Sequence, residues 1–333
     1  MKMLHLRSQK SRMPACDSLF AKKLNEIGEY HDIPLEPHMS EDDIIELIGQ
    51  YDVLLTIWNN FPVPAKLAQK PGKLRYICNV SGSLNQWIPM EIIESGIEVT
   101  NWGDAQANPI AEGAMALLLA ALKDIPTFVL KTRAGINGME GQVNGTLYNS
   151  RVGIYGLGFI GMRFLEMIRP FGPVLYVYDP YVKNLPDDCI RVNSLDELCQ
   201  NCDIFVVHAG RSAETDYSIN ARHLAMLPDH AVIVNTARGE LFVQDDLYAA
   251  LETGRLRAGI DVFCSDIYPE DHPSRQFPNM IYTSHCVGKA LWPPLREGQL
   301  ARMYEIALEN LTRFKNGEPL EFVMDSVRYL RST

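Results

Sequence analysis

One stretch of sequence decides the fold: Arg151-Val152-Gly153-Ile154-Tyr155-Gly156-Leu157-Gly158-Phe159-Ile160-Gly161. The apolar residues 152–155 predict a buried strand, and the residues from Phe159 to Ile168 predict a helix. A glycine turn between a strand and a helix is the setting in which the pattern G-x-G-x-x-G indicates a dinucleotide-binding site.

The three glycines of the pattern have different physical roles. Gly156 permits a tight turn, Gly158 lets the backbone come close to a pyrophosphate, and Gly161 lets the new helix pack closely on its strand. The first helical residues, Phe159 and Ile160, offer unpaired N–H groups and the positive end of a dipole to phosphates. By itself, the glycine pattern is only a weak indication of a cofactor site.

Asp179 strengthens this interpretation. It ends the next predicted strand, residues 174–178, at about 20 positions past the glycines, where an acid accepts both hydroxyls of an adenosine ribose. A carboxylate there also repels a 2′-phosphate, so NAD is favoured over NADP. The alternative is an aspartate that only forms a turn before Pro180, but the glycines upstream favour the dinucleotide interpretation.

The composition limits the classes of function. At 333 residues the chain exceeds the usual size of a single hydrophobic core, so two domains are expected. A net charge of −10 argues against nucleic acid or an anionic membrane surface as a partner. No apolar run approaches the length of a membrane span, and the charged N-terminus does not resemble a signal peptide.

The seven cysteines are scattered and odd in number, which favours a reducing cytoplasm as the location. Cys199 and Cys202 have the C-x-x-C spacing of some metal and redox sites. No second cysteine pair and no histidine pair accompanies them to complete a ligand set, so no metal site is predicted.

The first hundred residues alternate short apolar strands with amphipathic helices, which predicts a parallel sheet covered by helices on both faces. Strands are predicted at residues 3–6, 53–57 and 74–78, and helices at residues 17–27 and 41–49. Ser40 is the predicted N-cap of the second helix, whose first turn is acidic.

Two loops interrupt this alternation, and both are expected at carboxyl ends of strands, where such sheets bind ligands. The first, residues 58–62, begins with Trp58. The second, residues 79–86, contains Ser81, Gly82 and Ser83, which are small enough to direct backbone N–H groups at an anion. The alternative is that both are ordinary surface turns.

A helix is predicted over residues 109–122, with Asn108 as its N-cap and Pro109 at its first position. It is apolar on nearly all sides, so we expect it to be buried between domains or subunits. Residues 134–149 are rich in Gly and Asn and are expected to form an extended loop, either a linker or a dimer arm.

After residue 151 the alternation resumes. The further predicted strands cover residues 189–192, 203–207, 231–235, 258–262 and 280–283, and the helices cover residues 195–199, 221–227, 244–253 and 296–315, before an extended tail at 320–327. We therefore expect an α/β protein in which residues 105–299 form a doubly wound parallel (Rossmann) domain that binds a dinucleotide. Residues 1–104 and 300–333 are expected to form a second, smaller, flavodoxin-like α/β domain that binds substrate.

Three polar residues follow predicted strands of the larger domain. Arg238 presents a fixed cation that can bind a carboxylate and polarise a neighbouring carbonyl. His285 can protonate a developing alkoxide, and Asp266 can raise its pKa and fix its tautomer. Taken singly, the arginine is more typical of a surface or capping residue and the histidine of a structural one.

The chain resembles the D-isomer-specific 2-hydroxyacid dehydrogenase family, which contains D-lactate, D-glycerate and D-3-phosphoglycerate dehydrogenases. Four segments carry the resemblance, in the family's order. They are Gly156-Leu157-Gly158-Phe159-Ile160-Gly161 with Asp179-Pro180, Asn235-Thr236-Ala237-Arg238-Gly239, Gly259-Ile260-Asp261-Val262-Phe263, and Thr283-Ser284-His285. Ser284 stands where proline is usual.

The resemblance implies an NAD-dependent enzyme that transfers a hydride between the cofactor and a 2-hydroxy or 2-keto acid, with a cleft between the domains that closes over the substrate. It implies a cytoplasmic homodimer. The catalytic residues implied are Arg238, Asp266 and His285, the cofactor-binding residues are Gly156, Gly158, Phe159, Ile160, Gly161, Asp179, Thr236, Ala237, Asp261, His285 and Gly288, and the substrate-binding residues are Ser81, Gly82, Ser83, Arg238, Trp58 and Trp292.

Two alternatives stay open, and one departure from the family supports the first of them. The family's catalytic acid is a glutamate followed by proline, whereas Asp266-Ile267 stands at that place and is shorter by one methylene. A regulatory or scaffold protein that binds NAD but turns over weakly is therefore one alternative. The other is a dehydrogenase of the formate or phosphite type, which resembles this family too.

Overall fold

The computed structural model describes residues 1–8, 11–15, 17–58, 60–138, 143–264, 271–289 and 294–331. The chain divides into two compact units: Met1–Ala105 with Trp292–Thr333, and Gln106–Leu291. The second boundary lies before residue 292 rather than at the predicted position before residue 300.

The strands of the described residues, in chain order, are β1 (Lys2–Arg7), β2 (Glu29–Pro34), β3 (Val53–Thr56), β4 (Tyr76–Asn79), β5 (Glu98–Thr100), β6 (Arg151–Tyr155), β7 (Val174–Tyr178), β8 (Cys189–Arg191), β9 (Ile204–Val207), β10 (Val232–Asn235), β11 (Arg257–Ile260) and β12 (Met280–Tyr282). The α-helices are α1 (Leu19–Ile27), α2 (Glu41–Ile48), α3 (Met90–Glu94), α4 (Ala107–Leu122), α5 (Ile125–Arg133), α6 (Phe159–Ile168), α7 (Leu195–Gln200), α8 (Ala221–Met226), α9 (Gln244–Glu252), α10 (Arg302–Asn316) and α11 (Ser326–Arg331).

Each unit is built on one parallel sheet. The first unit has five strands in the order β2-β1-β3-β4-β5, and the second has seven in the order β12-β11-β10-β9-β6-β7-β8. The first order is that of flavodoxin-like folds, and the second is the doubly wound dinucleotide-binding order with one more strand. The predicted fold class is therefore confirmed.

Strand burial explains why short apolar runs form these sheets. All four residues of β3, β4, β9 and β10 are buried, as expected for parallel strands covered on both faces. In the first unit Leu54 and Ile77 join one apolar cluster, whereas Val53 and Leu55 join the other. Helix α10 covers the second of these clusters with Met303, which places the end of the chain against the first sheet.

The predicted N-cap is confirmed for α2 and wrong for α4. The Ser40 hydroxyl accepts from the Asp43 N–H, and the Asp43 carboxylate accepts from the Ser40 N–H, so α2 begins with a full capping box. Gly317 ends α10 in a left-handed conformation. The predicted Asn108 cap is wrong, because α4 already begins at Ala107, after Gln106.

The burial of α4 is explained within its own unit. The helix packs on β10, β11 and α6, with residues such as Leu117 and Leu118 in the core. These contacts bury part of the helix within its own unit, and its predicted burial between domains or subunits stays a prediction.

The sequence patterns missed several elements. Strand β2 has no fully buried residue, and β5 has only three residues, so neither shows a clear apolar pattern. Helix α5 buries none of its side chains, and the tail is helical as α11 rather than extended throughout. Within the tail, Val323 forms one antiparallel bridge to Thr100.

Among the described residues no single helix is long and apolar enough to cross a membrane. Helices α4 and α5 meet that criterion only as a pair, which is bent by 58°.

Candidate functional site

The glycine turn after β6 leaves room beside one of its glycines and none beside the other two. A Cβ on Gly156, whose φ is +91°, would lie 2.5 Å from the backbone N of Ala209, and one on Gly161 would lie 2.3 Å from the carbonyl oxygen of Gly156. A Cβ on Gly158 would meet no atom within 4 Å. Gly156 and Gly161 are therefore required by the fold itself, and the backbone at Gly158 borders open space in which a pyrophosphate fits.

Helix α6 begins at this turn without a side-chain cap. Its N-cap residue, Gly158, has no side-chain acceptor for the first helical N–H groups. These groups and the helix dipole are available to an anion. Phe159, the first helical residue, is half-exposed at the same end.

Asp179 is held beside the glycine turn by backbone hydrogen bonds. One carboxylate oxygen accepts from the Leu157 N–H at 2.7 Å, and the other accepts from the N–H groups of Tyr181 at 2.8 Å and Val182 at 3.1 Å. The structure therefore brings the acid predicted to bind ribose next to the turn predicted to bind pyrophosphate.

Asn235, the last residue of β10, shapes the loop that carries Arg238. Its side-chain oxygen accepts from the Ala237 N–H at 3.0 Å, and its side-chain nitrogen donates to the Arg238 carbonyl at 2.9 Å. The half-buried Arg238 side chain donates to the Ala237 carbonyl at 2.7 Å. The hydroxyl of Thr236 is buried and has no hydrogen-bond partner among the described residues, so a bound cofactor could satisfy it.

Asp261 follows β11 and anchors the turn that carries His285. One oxygen of its buried carboxylate accepts from the Thr283 hydroxyl at 2.5 Å and from the Cys286 N–H at 2.9 Å. Its backbone carbonyl accepts from the His285 N–H at 2.7 Å. These bonds hold His285 in a left-handed conformation with φ of +49°, which a residue with a side chain adopts only at a cost in free energy.

Gly288 lies after this turn, against helix α4. A Cβ there would come within 2.7 Å of Cγ1 of Ile110, so close packing requires a glycine at this position. The structure thus shows a packing role for a residue predicted to bind the cofactor. Two other predicted site residues, Asp266 and Trp292, lie outside the described residues.

The first unit carries a separate candidate loop after β4. The Thr56 hydroxyl donates to the side-chain oxygen of Asn79 at 2.9 Å, and the Asn79 nitrogen donates to the Ser81 carbonyl at 2.9 Å. The backbone N–H groups of residues 81–83 donate to no acceptor in the part of the chain that the structure describes. The loop therefore presents three unpaired donors, which suit a carboxylate.

Two tryptophans border that loop. A Cβ on Gly82 would lie 2.4 Å from the indole of Trp102, so the loop backbone runs directly against that ring. Trp58 packs edge-on against Trp102, with ring centroids 5.2 Å apart. Trp58 and Gly82 thus both lie against Trp102 in the first unit.

Three residues that hold loops in place were missed by sequence reasoning. Asn235 and Asn79 both end a strand and both use their amide to hold the next loop. A strand-terminal Asn before a loop of small residues is the signal that would have found them. Arg211 was also missed: it pairs with Asp216 at 2.9 Å and with Glu240 at 2.7 Å, joining the loops after β9 and β10.

The C-x-x-C cysteines have the chemistry of core residues. Cys199 and Cys202 are both buried free thiols. Burial raises the pKa of Cys199 to about 12 and also raises the pKa of Cys202, which favours the neutral thiol form of both side chains.

A family model matches residues 115–287, just over half of the chain. Its description is the NAD-binding domain of D-isomer-specific 2-hydroxyacid dehydrogenases.

Curated relatives and solved structures resemble the chain over most of its length. The chain is 30% identical to a D-3-phosphoglycerate dehydrogenase of Methanocaldococcus jannaschii over 79% of its own length but 50% of the relative's. It is 27% identical to a hydroxypyruvate reductase of Blautia hydrogenotrophica, over 85% of the chain and 88% of the relative. The NAD-complexed D-isomer-specific 2-hydroxyacid dehydrogenase of Lactobacillus delbrueckii subsp. bulgaricus has a TM-score of 0.74 at 18% identity, covering 98% of this chain and 100% of its own.

The glycine turn predicts opposite behaviour for two alanine variants. We expect Gly158→Ala to unfold within about 1 kcal/mol of wild type and to bind NADH about tenfold more weakly or worse, because the methyl occupies the space open to the pyrophosphate. Gly161→Ala should lose about 1–3 kcal/mol of stability, because its Cβ meets the Gly156 carbonyl. Urea unfolding and NADH fluorescence titration measure both effects. Wild-type affinity in Gly158→Ala would contradict the assignment.

The buried His208 should make the free energy of unfolding depend on pH. It follows β9, its Nε2 is buried without a hydrogen-bond partner in the described chain, and burial lowers its pKa to about 3. The ordinary pKa is about 6.5, so between these values the unfolded chain binds a proton that the folded chain does not, and stability falls as pH falls.

The test compares His208→Phe with the exposed control His38→Phe by urea unfolding at several values between pH 4 and 7.5. The wild type and the control should both lose stability on acidification. His208→Phe should lose less, by roughly 1.4 kcal/mol for each pH unit below the unfolded-state pKa. Equal slopes in all three proteins would show that His208 is not buried in its neutral form.

Proposed function

The chain belongs to the D-isomer-specific 2-hydroxyacid dehydrogenase family, and from this premise we propose that it interconverts a 2-hydroxy acid and its 2-keto acid. The NAD-binding domain would hold the cofactor. When bound, NAD+ would accept the hydride and NADH would donate it. The single observation that carries the proposal is the arrangement of the loops after β10, β11 and β12. These strands are neighbours and parallel, so Arg238, Asp261 and His285 follow strands that end at the same edge of the sheet.

The chain's own residues fit the cofactor. The open space beside Gly158 and the uncapped start of α6 suit the pyrophosphate, and Asp179 suits the adenosine ribose. The buried hydroxyl of Thr236 lacks a partner among the described residues, which supports a contact with the bound cofactor. A carboxylate at Asp179 favours NAD over NADP, because a 2′-phosphate would be repelled.

Arg238 binds the substrate in this proposal. Its guanidinium forms paired hydrogen bonds with the substrate carboxylate and polarises the C2 carbonyl. The two hydrogen bonds of the Asn235 side-chain amide support this role, because they hold the backbone from which Arg238 extends.

His285 moves the proton. In reduction it donates a proton to the C2 oxygen, and in oxidation it accepts the proton from the C2 hydroxyl. The anchoring of its turn by Asp261 supports the role, since it fixes the backbone from which the His285 ring extends. Asp266 is the proposed acid partner of His285.

The unpaired N–H groups of residues 81–83 are the proposed carboxylate donors of the first unit, with Trp58 beside them. Small 2-keto acids are the proposed substrates. The relatives of similar length support this range, since they are named hydroxypyruvate reductase and glyoxylate reductase, and the chain covers 88% and 90% of them.

We also propose a cytoplasmic homodimer. The six cysteines of the described chain are all free, which supports a reducing compartment. Helix α5 supports an interface, because it exposes Ile125, Val129 and Leu130 and buries none of its side chains.

Substitution of Arg238 tests the reaction. With NADH and a panel of 2-keto acids, followed by absorbance at 340 nm, the wild type should turn over at least one acid. Arg238→Ala should lower kcat/KM by at least about 100-fold and Arg238→Lys by less, because lysine keeps the charge but not the planar pair of donors. The surface control Arg222→Ala should match the wild type. NADH binding without turnover across the panel would favour the NAD-binding regulatory alternative.

Substitution of Asp179 tests the cofactor preference. Removing the carboxylate in Asp179→Asn should lower kcat/KM with NAD and raise kcat/KM with NADP. The ratio of the NADP value to the NAD value should therefore rise by about tenfold or more. Asparagine keeps an oxygen that can accept from the Leu157 N–H, so the turn should remain folded. The exposed control Asp187→Asn should leave the ratio unchanged. If Asp179→Asn leaves this kcat/KM ratio unchanged, Asp179 is not the residue that prevents NADP from binding.

A further inference from the structure

Asn60 is a buried amide whose polar atoms are both unsatisfied. The residue is 4% exposed, and neither its side-chain oxygen nor its side-chain nitrogen has a hydrogen-bond partner within the described residues. A buried amide without partners is costly, and native proteins retain such groups rarely. A ligand that supplies both a donor and an acceptor removes that cost.

The position of Asn60 puts it at the edge of the sheet where ligands bind. It follows β3, and residues 81–83 follow β4, which is the neighbouring parallel strand. Thr56 is paired with Asn79 in the register of these strands, and their side chains are hydrogen-bonded at 2.9 Å. The two loops therefore leave the sheet side by side, next to the strand pair β1 and β3 where the strand order reverses.

The chemistry of the two loops differs. The backbone N–H groups of residues 81–83 are donors, which suit a carboxylate, whereas the Asn60 amide offers one acceptor and a donor group. A hydroxyl is the smallest group that both donates and accepts. A methyl or a hydrogen atom in its place would leave the Asn60 amide unpaired.

We propose that Asn60 binds a hydroxyl on C3 of the substrate, so that the chain selects 3-hydroxy-2-keto acids over 2-keto acids without that hydroxyl. This inference rests on the proposed function, because it names the substrate class of the same reaction. Trp58 packs edge-on against Trp102, whose ring lies against Gly82, and an indole has no acceptor, so neither tryptophan replaces Asn60 as a group that both donates to and accepts from a hydroxyl.

The first test uses the wild type alone. Hydroxypyruvate and pyruvate differ only in the C3 hydroxyl, and with NADH the kcat/KM for hydroxypyruvate should exceed that for pyruvate by about tenfold or more. Equal values for the two acids would overturn the inference and leave the proposed reaction intact.

The second test replaces the amide. Asn60→Leu has nearly the same size and no hydrogen-bonding group, so kcat/KM for hydroxypyruvate should fall about 10- to 100-fold while that for pyruvate changes by less than about threefold. Gln69→Leu, an exposed amide of the same unit, should behave as the wild type. An unchanged preference in Asn60→Leu, or in Asn60→Ala if the leucine variant does not fold, would overturn the inference.

A binding measurement separates this inference from the proposed function. In the presence of NADH, hydroxypyruvate should raise the Tm of the wild type more than pyruvate does, and Asn60→Leu should abolish the difference. This result without turnover would reject the proposed reaction and keep the role of Asn60. Equal shifts by both acids in the wild type would reject the role of Asn60.

Discussion

The approach of helix α6 to the turn after β6 is the constraint on which the second unit depends. A Cβ on Gly161 would lie 2.3 Å from the Gly156 carbonyl, so helix and turn can pack at this distance only because Gly161 lacks a side chain. The same turn receives the carboxylate of Asp179 on its Leu157 N–H. The close packing of Gly161 on Gly156, together with the bond from Leu157 to Asp179, therefore fixes the positions of three features relative to one another. These are the start of α6, the end of β7 and the open side of Gly158.

At the edges of both sheets, buried polar side chains at the ends of strands hold the loops that follow. Asn79, Asn235 and Asp261 lie at or just after the end of a strand, are almost fully buried, and hold the following loop through side-chain hydrogen bonds. Such groups are stable in a core only when they are paired, so each loop has one low-energy arrangement. The three unpaired N–H groups, the arginine and the histidine of the proposed site all project from loops that are held in this way.

Local signals were read correctly where the interaction lies within a few residues. Helix α6 runs over the predicted residues, and Ser40 caps α2 through Asp43, three residues away. The sequence predictions were wrong or incomplete where contacts between residues far apart in the chain determine the structure. Asn108 has the residue type of an N-cap, yet α4 begins at Ala107, after Gln106, which makes no side-chain cap hydrogen bond. Strand β2 has little apolar pattern and exists because it pairs along its whole length with β1.

The sequence by itself determined the seven strands of the second unit, the glycine turn, the acid that follows it, and the arginine and histidine that follow strands, because each of these is a local pattern of residue types. Only the tertiary structure decided that Asn235 and Asp261 hold the two loops, that His285 adopts a left-handed backbone, and that the Asn60 amide is buried without a partner in the described chain. The physical reason is that hydrogen bonds and burial join residues far apart in the chain, and residue types in sequence order do not specify which distant groups come within bonding distance.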